Sequence, residues 1–233
     1  MADFPFDLIG FDLDGTLVDS SGDLAAAVNR ALAAAGRAPL TVDHVRPMIG
    51  GGSRVMLRSA LLATGGDHDF ERLYPLMIDY YAAHIADTTR PFPGVVAALD
   101  DLAARGVKLA VVTSKIEARS VDLLRRLDLL DRFACVIGGD TVAAMKPDPA
   151  PVVEMLRRCG GKRRAAFVGD SAHDVGAAHA AGLPCLLFAP TETTASGADA
   201  TFGHYDVLVV ALERLSAAGA PVRSSPVPAP HRP

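Results

Sequence analysis

Two carboxylates stand two residues apart in the run Phe11-Asp12-Leu13-Asp14-Gly15-Thr16, directly after the apolar stretch Phe6 to Phe11. If that stretch is a buried strand, its end delivers both acids to one place, where each raises the other's pKa unless a cation lies between them. A hard divalent ion with oxygen ligands, Mg2+ above all, is the natural partner. The competing explanation is an Asx-type turn that closes a strand, and Asp12 and Asp14 alone leave the choice open. An EF-hand is excluded, because Leu17 stands where that loop requires glycine.

Other polar groups also end apolar runs. Thr113 follows Val107 to Val112. Its hydroxyl suits a phosphoryl oxygen, and Ser114 and Lys115 would open a helix, running through Leu127, whose N-terminus favours anions. Capping of that helix by Thr113 is the alternative role. Lys146 precedes Pro147-Asp148-Pro149, and the prolines stiffen a loop that could hold an ammonium beside a phosphate. A lysine is otherwise an ordinary surface group. Asp170, in Gly169-Asp170-Ser171, is a strand-end carboxylate suited to a metal, with Asp174 one turn into the next helix. Asp174 either supports the site, through a metal-bound water or by holding Lys146, or simply complements the helix N-terminus.

The run Ile49-Gly50-Gly51-Gly52 is neither a Walker A loop nor a dinucleotide fingerprint, since Val55 occupies the third glycine position. The N–H groups of Gly51 and Gly52 could approach an anion at the start of the helix that carries Arg54, which would then bind a small carboxylate. A flexible helix–helix turn explains the same glycines. The seven histidines show no metal-ligand pairing on one helix face, apart from an ambiguous spacing between His173 and His179.

These groups need a scaffold. The runs before Asp12, Thr113 and Asp170, together with Phe133 to Ile137 before Asp140, read as buried strands. They alternate with helical patterns such as Pro93 to Arg105, closed by Gly106, and Ser171 to Ala181, closed by Gly182. A second proline-started helix runs from Pro149 to Cys159. Strand–helix alternation predicts a Rossmann-like α/β fold, a parallel sheet with helices on both faces and a ligand crevice beyond the strand C-termini, where Asp12, Thr113, Asp140 and Asp170 converge. Between Ser20 and Arg90 the alternation stops. Helical patterns at Leu24 to Ala35, Val42 to Ile49, Arg54 to Ala63 and Phe70 to Ile85 follow one another without a strand. The predicted organisation is a core of 1–19 and 90–218, a helical cap inserted at 20–89, and a loose proline-rich tail at 219–233.

Composition narrows the function. The 233 residues carry a formal net charge of −4 with no dense basic run, which argues against nucleic acid as partner. No run reaches the roughly 18–20 apolar residues of a membrane span, and the N-terminus lacks a basic, apolar leader. Three cysteines without a C-x-x-C pair favour reduced core residues over a disulfide framework or a zinc site. The expectation is a soluble cytoplasmic protein, monomer or homodimer, acting on a small molecule.

Taken in order, Asp12-Leu-Asp14-Gly-Thr, Thr113, Lys146-Pro-Asp-Pro and Gly-Asp170-Ser-x-x-Asp174 resemble the four motifs of the haloacid dehalogenase superfamily. The helical insertion and Ile49 to Gly52 look like those of its phosphoglycolate phosphatase branch. The resemblance implies that Asp12 attacks phosphorus, with Mg2+ held by Asp12, the Asp14 backbone carbonyl and Asp170. It also implies that Asp14 protonates the leaving group and then deprotonates water. Thr113 and the N–H groups near Leu13 and Ser114 would complement phosphoryl oxygens, while Lys146 offsets charge and ties down Asp12. The implied substrate is a small phosphorylated metabolite, 2-phosphoglycolate, cleaved to glycolate and phosphate. Rivals are a phosphatase or phosphomutase for another small ester, such as a sugar phosphate or pyrophosphate, and a non-enzymatic phospho-acceptor or binding protein on the same scaffold.

Overall fold

The computed structural model describes residues 4–160, 164–190 and 197–217. In chain order its strands are β1 (Leu8–Phe11), β2 (Val18–Asp19), β3 (Arg90–Pro91), β4 (Lys108–Val112), β5 (Cys135–Ile137), β6 (Ala165–Gly169), β7 (Cys185–Phe188) and β8 (Ala200–Phe202). Its helices are α1 (Ser21–Ala34), α2 (Val42–Val45), α3 (Ser53–Ala63), α4 (Phe70–Ala83), α5 (Val95–Ala104), α6 (Glu117–Arg126), α7 (Ala150–Arg158), α8 (Ala172–Ala180) and α9 (Leu208–Ala217).

Short apolar runs without alternating polar residues cannot leave one face in water, so they pair into a sheet covered on both sides. Six strands do so in the order β5-β4-β1-β6-β7-β8, every neighbouring pair parallel. Successive side chains alternate between two cores. Ile9, Phe11, Val111 and Val168 join one, with α5 and α9 residues such as Leu99 and Leu212. Leu8, Ala110, Val112 and Phe167 join the other, with Val152 and Met155 of α7 and Ala178 of α8. From β1 the chain builds outward through β4 and β5, then crosses to β6 on the opposite flank of β1. That reversal opens a crevice beyond the strand C-termini.

Helices α1 to α4 lie between β2 and β3, which pair antiparallel where the chain leaves for the helices and returns from them. A buried carboxylate fastens this junction. Asp23 of α1 accepts from the N–H of Thr88 (2.9 Å) and of Thr89 (2.9 Å) and from their hydroxyls at 2.6 and 2.7 Å. Both charge and backbone are satisfied there, which a buried carboxylate requires.

Several sequence expectations change in detail. The helix foreseen over Val42 to Ile49 stops at Val45 and continues as a 3-10 turn over Arg46–Met48, because Pro47 has no N–H for an α-helical bond. Residues 18–19 and 90–91, not among the strands expected from sequence, form the β2–β3 pair. Strands β7 and β8 and helix α9 extend the core beyond the elements singled out from sequence. The proline-rich segment 219–233 lies outside the described residues.

Candidate active site

Register alone brings the strand-end groups together. Phe11 lies beside Val111 and Val168, so the residues that follow in β1, β4 and β6 emerge at one edge. The N–H of Asp12 donates to Val168 O at 2.9 Å and that of Thr113 to Ile137 O at 2.9 Å. These ladder bonds fix the backbone from which the two side chains start. Gly15 then turns the chain at φ +87°, and a Cβ there would collide with the Asp170 carboxylate, so glycine is needed for both conformation and space.

Each of the two early carboxylates has its own buried lysine. The Lys146 side chain is 2% exposed, with its ammonium 2.8 Å from Asp12 Oδ1 and 2.6 Å from Asp174 Oδ1. It also donates to Val112 O at 3.0 Å. The surface role is therefore ruled out. Burial opposes its charge, but Asp12 and Asp174 outweigh burial and push its pKa up. Lys115 does the same for Asp14: its ammonium lies 2.8 Å from Asp14 Oδ1 and 2.5 Å from the Tyr81 hydroxyl. Burial again opposes the charge and Asp14 and Tyr81 outweigh it, so this pKa too is raised. The Ser20 hydroxyl donates to the same Asp14 oxygen at 2.6 Å.

Asp174 belongs to the scaffold of the site. Its Oδ1 receives Lys146, while its Oδ2 accepts from the N–H of Asp170 (3.2 Å), the N–H of Ser171 (3.0 Å) and the Ser171 hydroxyl (2.6 Å). With Ser171 it forms a capping box at the start of α8. The holding role and the helix-terminus role foreseen for it are thus compatible.

The acidic groups fit a divalent cation. Carboxylate oxygens of Asp12, Asp170 and Asp174 lie within 4.8 Å of one another. Since both Asp174 oxygens are already engaged, Asp12 and Asp170 are the side chains left to ligate. Asp12 Oδ1 is buried and has no aligned hydrogen bond, its lysine contact being an ion pair only. Burial raises the Asp12 pKa to about 6, against the lowering effect of Lys146. Burial, then Asp12 and Asp174, raise Asp170 well above the usual carboxylate range. A dication between them is what would restore both to ionised acids.

Above these groups a pocket opens between the sheet edge and α1–α4. Asp12, Asp14, Thr113, Ser114 and Lys115 line it from the sheet edge, and Gly50, Gly52 and Ser53 from the start of α3 and the loop before it. The Thr113 hydroxyl oxygen accepts from the Lys115 N–H at 3.2 Å, which leaves its own proton to donate. The expected helix at Ser114 begins only at Glu117, after an extended Ile116. Thr113 is therefore not its cap; the Glu117 N–H instead donates to Asp140 Oδ1 at 2.7 Å. Asp140 is accordingly spent on a helix end and does not line the pocket.

Arg54 is also redirected. Its side chain is half exposed, pairs with Glu71 at 2.8 Å and lies over the rings of Phe70 and Tyr74, away from the pocket. Gly51 likewise is not among the lining residues, whereas Gly52 is. What sequence reading did not find is Tyr81, Ser20 and Arg119, and the acid-holding role of Lys115. The spacing Thr113-Ser114-Lys115 at a strand end held a signal for Lys115, but Tyr81 and Arg119 reach the site only through tertiary packing. His173 is exposed on the first turn of α8.

Comparison with known proteins agrees with this arrangement. A family model described as haloacid dehalogenase-like hydrolase matches residues 9–188. A phosphoglycolate phosphatase of Caulobacter vibrioides is 41% identical over 224 residues, covering 91% of this chain and 94% of the relative. One of Agrobacterium fabrum is 39% identical over 207 residues, covering 87% of this chain and 84% of the relative. The crystal structure of a predicted phosphoglycolate phosphatase from Haemophilus somnus superposes with a TM-score of 0.82 at 30% identity, covering 88% of this chain and 97% of that one. The strand-end acids, their buried lysines and the matched span together place this chain in the haloacid dehalogenase-like hydrolase family.

Proposed function

We propose that the protein is a Mg2+-dependent phosphatase that moves the phosphoryl group of a small monoester, 2-phosphoglycolate foremost, to Asp12 and then to water. The observation that carries this reading is the pair of neighbouring carboxylates, each held by a separate buried lysine. Two acids on one strand end are thereby given different environments, and that is what separates a nucleophile from an acid–base group. The names of the relatives support the choice of substrate.

Asp12, the Asp14 backbone carbonyl and Asp170 would hold Mg2+, which when bound supplies positive charge against the phosphoryl oxygens. Lys146 adds a fixed charge beside Asp12 and, through Asp174, holds it at one position. In the first half-reaction an Asp12 oxygen bonds to phosphorus as the ester P–O bond breaks, and protonated Asp14 gives its proton to the departing alkoxide. In the second, the Asp14 carboxylate takes a proton from water as that water attacks phosphorus, releasing phosphate and the Asp12 carboxylate. Lys115 and Ser20 hold Asp14 through its Oδ1, which leaves Oδ2 to give and take these protons. The Thr113 hydroxyl donates to a phosphoryl oxygen throughout. On the cap rim, the Gly52 end of α3 has no side-chain cap and no acidic residue in its first turn, and it lines the same pocket.

The test is phosphate release with Mg2+ across 2-phosphoglycolate, phospholactate, hexose phosphates, nucleotides and pyrophosphate. The expected outcome is a clear kcat/KM preference for 2-phosphoglycolate, and a loss of about 10⁴-fold or more in Asp12→Asn. Preference for a sugar phosphate would keep the chemistry and discard the substrate. Full activity in Asp12→Asn would discard the chemistry.

A further inference from the structure

The pocket contains a cation that no described residue neutralises. Arg119 sits in the first turn of α6, the helix that follows Thr113 and Ser114 in the chain, and its half-buried side chain lines the pocket. Among the described residues it has neither an ion pair nor a hydrogen bond. The other cations of the region are all engaged: Lys146 with Asp12 and Asp174, Lys115 with Asp14 and Tyr81, Arg54 with Glu71. A partly desolvated guanidinium gains most from a carboxylate or phosphate that its planar fork can grip.

Away from the strand ends the lining is mostly apolar. Leu24, Ala27, Ile49, Met56, Met77 and Ile78 make up most of the wall contributed by α1, α3, α4 and the loop before α3. A leaving group rich in hydroxyls would bury them there without partners, which costs binding. A short chain with one anionic end would meet apolar side chains along its length and Arg119 at its tip.

We infer that Arg119 is the specificity residue of this site: it pairs with a carboxylate on the leaving group, so that the pocket selects short phosphorylated carboxylic acids over phosphorylated polyols. The inference rests on the phosphatase reading above and names the group that does the selecting. It also replaces Arg54, the arginine that the sequence pattern favoured.

The experiment compares kcat/KM for 2-phosphoglycolate and for ethyl phosphate, which has the same chain length and no carboxylate. The enzymes are the wild type, Arg119→Met, Arg119→Gln and Arg54→Met, each checked for an unchanged circular dichroism spectrum. The wild type should favour the acid. In both Arg119 variants the acid-to-neutral ratio should fall by about 10- to 100-fold, the worth of one hydrogen-bonded charge pair, mainly through KM for the acid. Arg54→Met should keep the wild-type ratio. An unchanged ratio in both Arg119 variants, or a fall carried by Arg54→Met instead, overturns the inference while the phosphatase reading stands. A wild type that releases phosphate through Asp12 without favouring the acid overturns the inference and the choice of 2-phosphoglycolate, but not the chemistry. Absence of Asp12-dependent release from either ester overturns both.

Discussion

The two ends of the pocket are built on different principles. At the phosphoryl end the carboxylates and Thr113 arrive on strand termini held by ladder hydrogen bonds, and the charges are matched by Lys146 and Lys115. Away from it the lining consists of side chains of α1, α3, α4 and α6, mostly apolar, with Arg119 unmatched among the described residues. A sheet edge fixes groups relative to one another to within a hydrogen bond. Side chains on packed helices can be exchanged without disturbing it. The proposed reaction chemistry therefore falls to the first region and the proposed substrate choice to the second.

The sharpest way to break this comparison is to remove the charge match of the phosphoryl end. Lys146→Met leaves the Asp12 and Asp174 carboxylates buried together without their cation. Breaking a buried pair costs about 3–5 kcal/mol, so the expected result is a large fall in melting temperature and near-complete loss of phosphate release on every ester. A folded Lys146→Met enzyme with wild-type turnover would refute the role given to that lysine.

A milder effect is expected at Lys115, which touches Asp14 and not Asp12. Lys115→Met should lower kcat by about 10- to 100-fold, within the usual range for impaired acid–base catalysis. Inhibition by inorganic phosphate should change far less, since the groups that hold the phosphoryl moiety are untouched. An equal loss in phosphate affinity and kcat would show that the two lysines are not separate in function.

The smallest effect concerns Asp23, at the junction of core and cap. Burial works against its charge, but the hydrogen bonds from Thr88 and Thr89 prevail and the carboxyl pKa is lowered. A folded pKa below the unfolded one gives stability that is fully present above the unfolded value, about 4, and is lost as pH falls through the folded value. The urea midpoint should therefore decline on acidification below about pH 4, and Asp23→Asn should flatten part of that decline. An identical acid limb in the variant would remove Asp23 from the account.

Much of the first region was legible from residue order. Asp12, Asp14, Thr113 and Asp170 are named by where apolar runs stop, since a strand's C-terminus is a place that sequence can mark, and Lys146 by the prolines that follow it. Asp174 was legible as a residue, but its choice among helix end, lysine and metal depended on where its two oxygens point. Less could be read of the second region. Arg54 stands beside the glycines in sequence, yet its helix turns it toward Glu71 and two aromatic rings. Arg119 carries no motif, and its position depends on α6 starting three residues later than the pattern suggested, at a helix end held by Asp140.

The amino-acid sequence by itself determined the α/β alternation, the helical insertion and the set of strand-end groups, because these follow from local periodicity and from residues adjacent in the chain. Only the tertiary structure decided which lysine serves which carboxylate, that Tyr81 reaches across from α4 to Lys115, and which arginine lines the pocket. Those are contacts between residues tens of positions apart. They are set by the rotation of each helix about its axis as it buries its apolar face, a choice made against the rest of the fold and not within the helix.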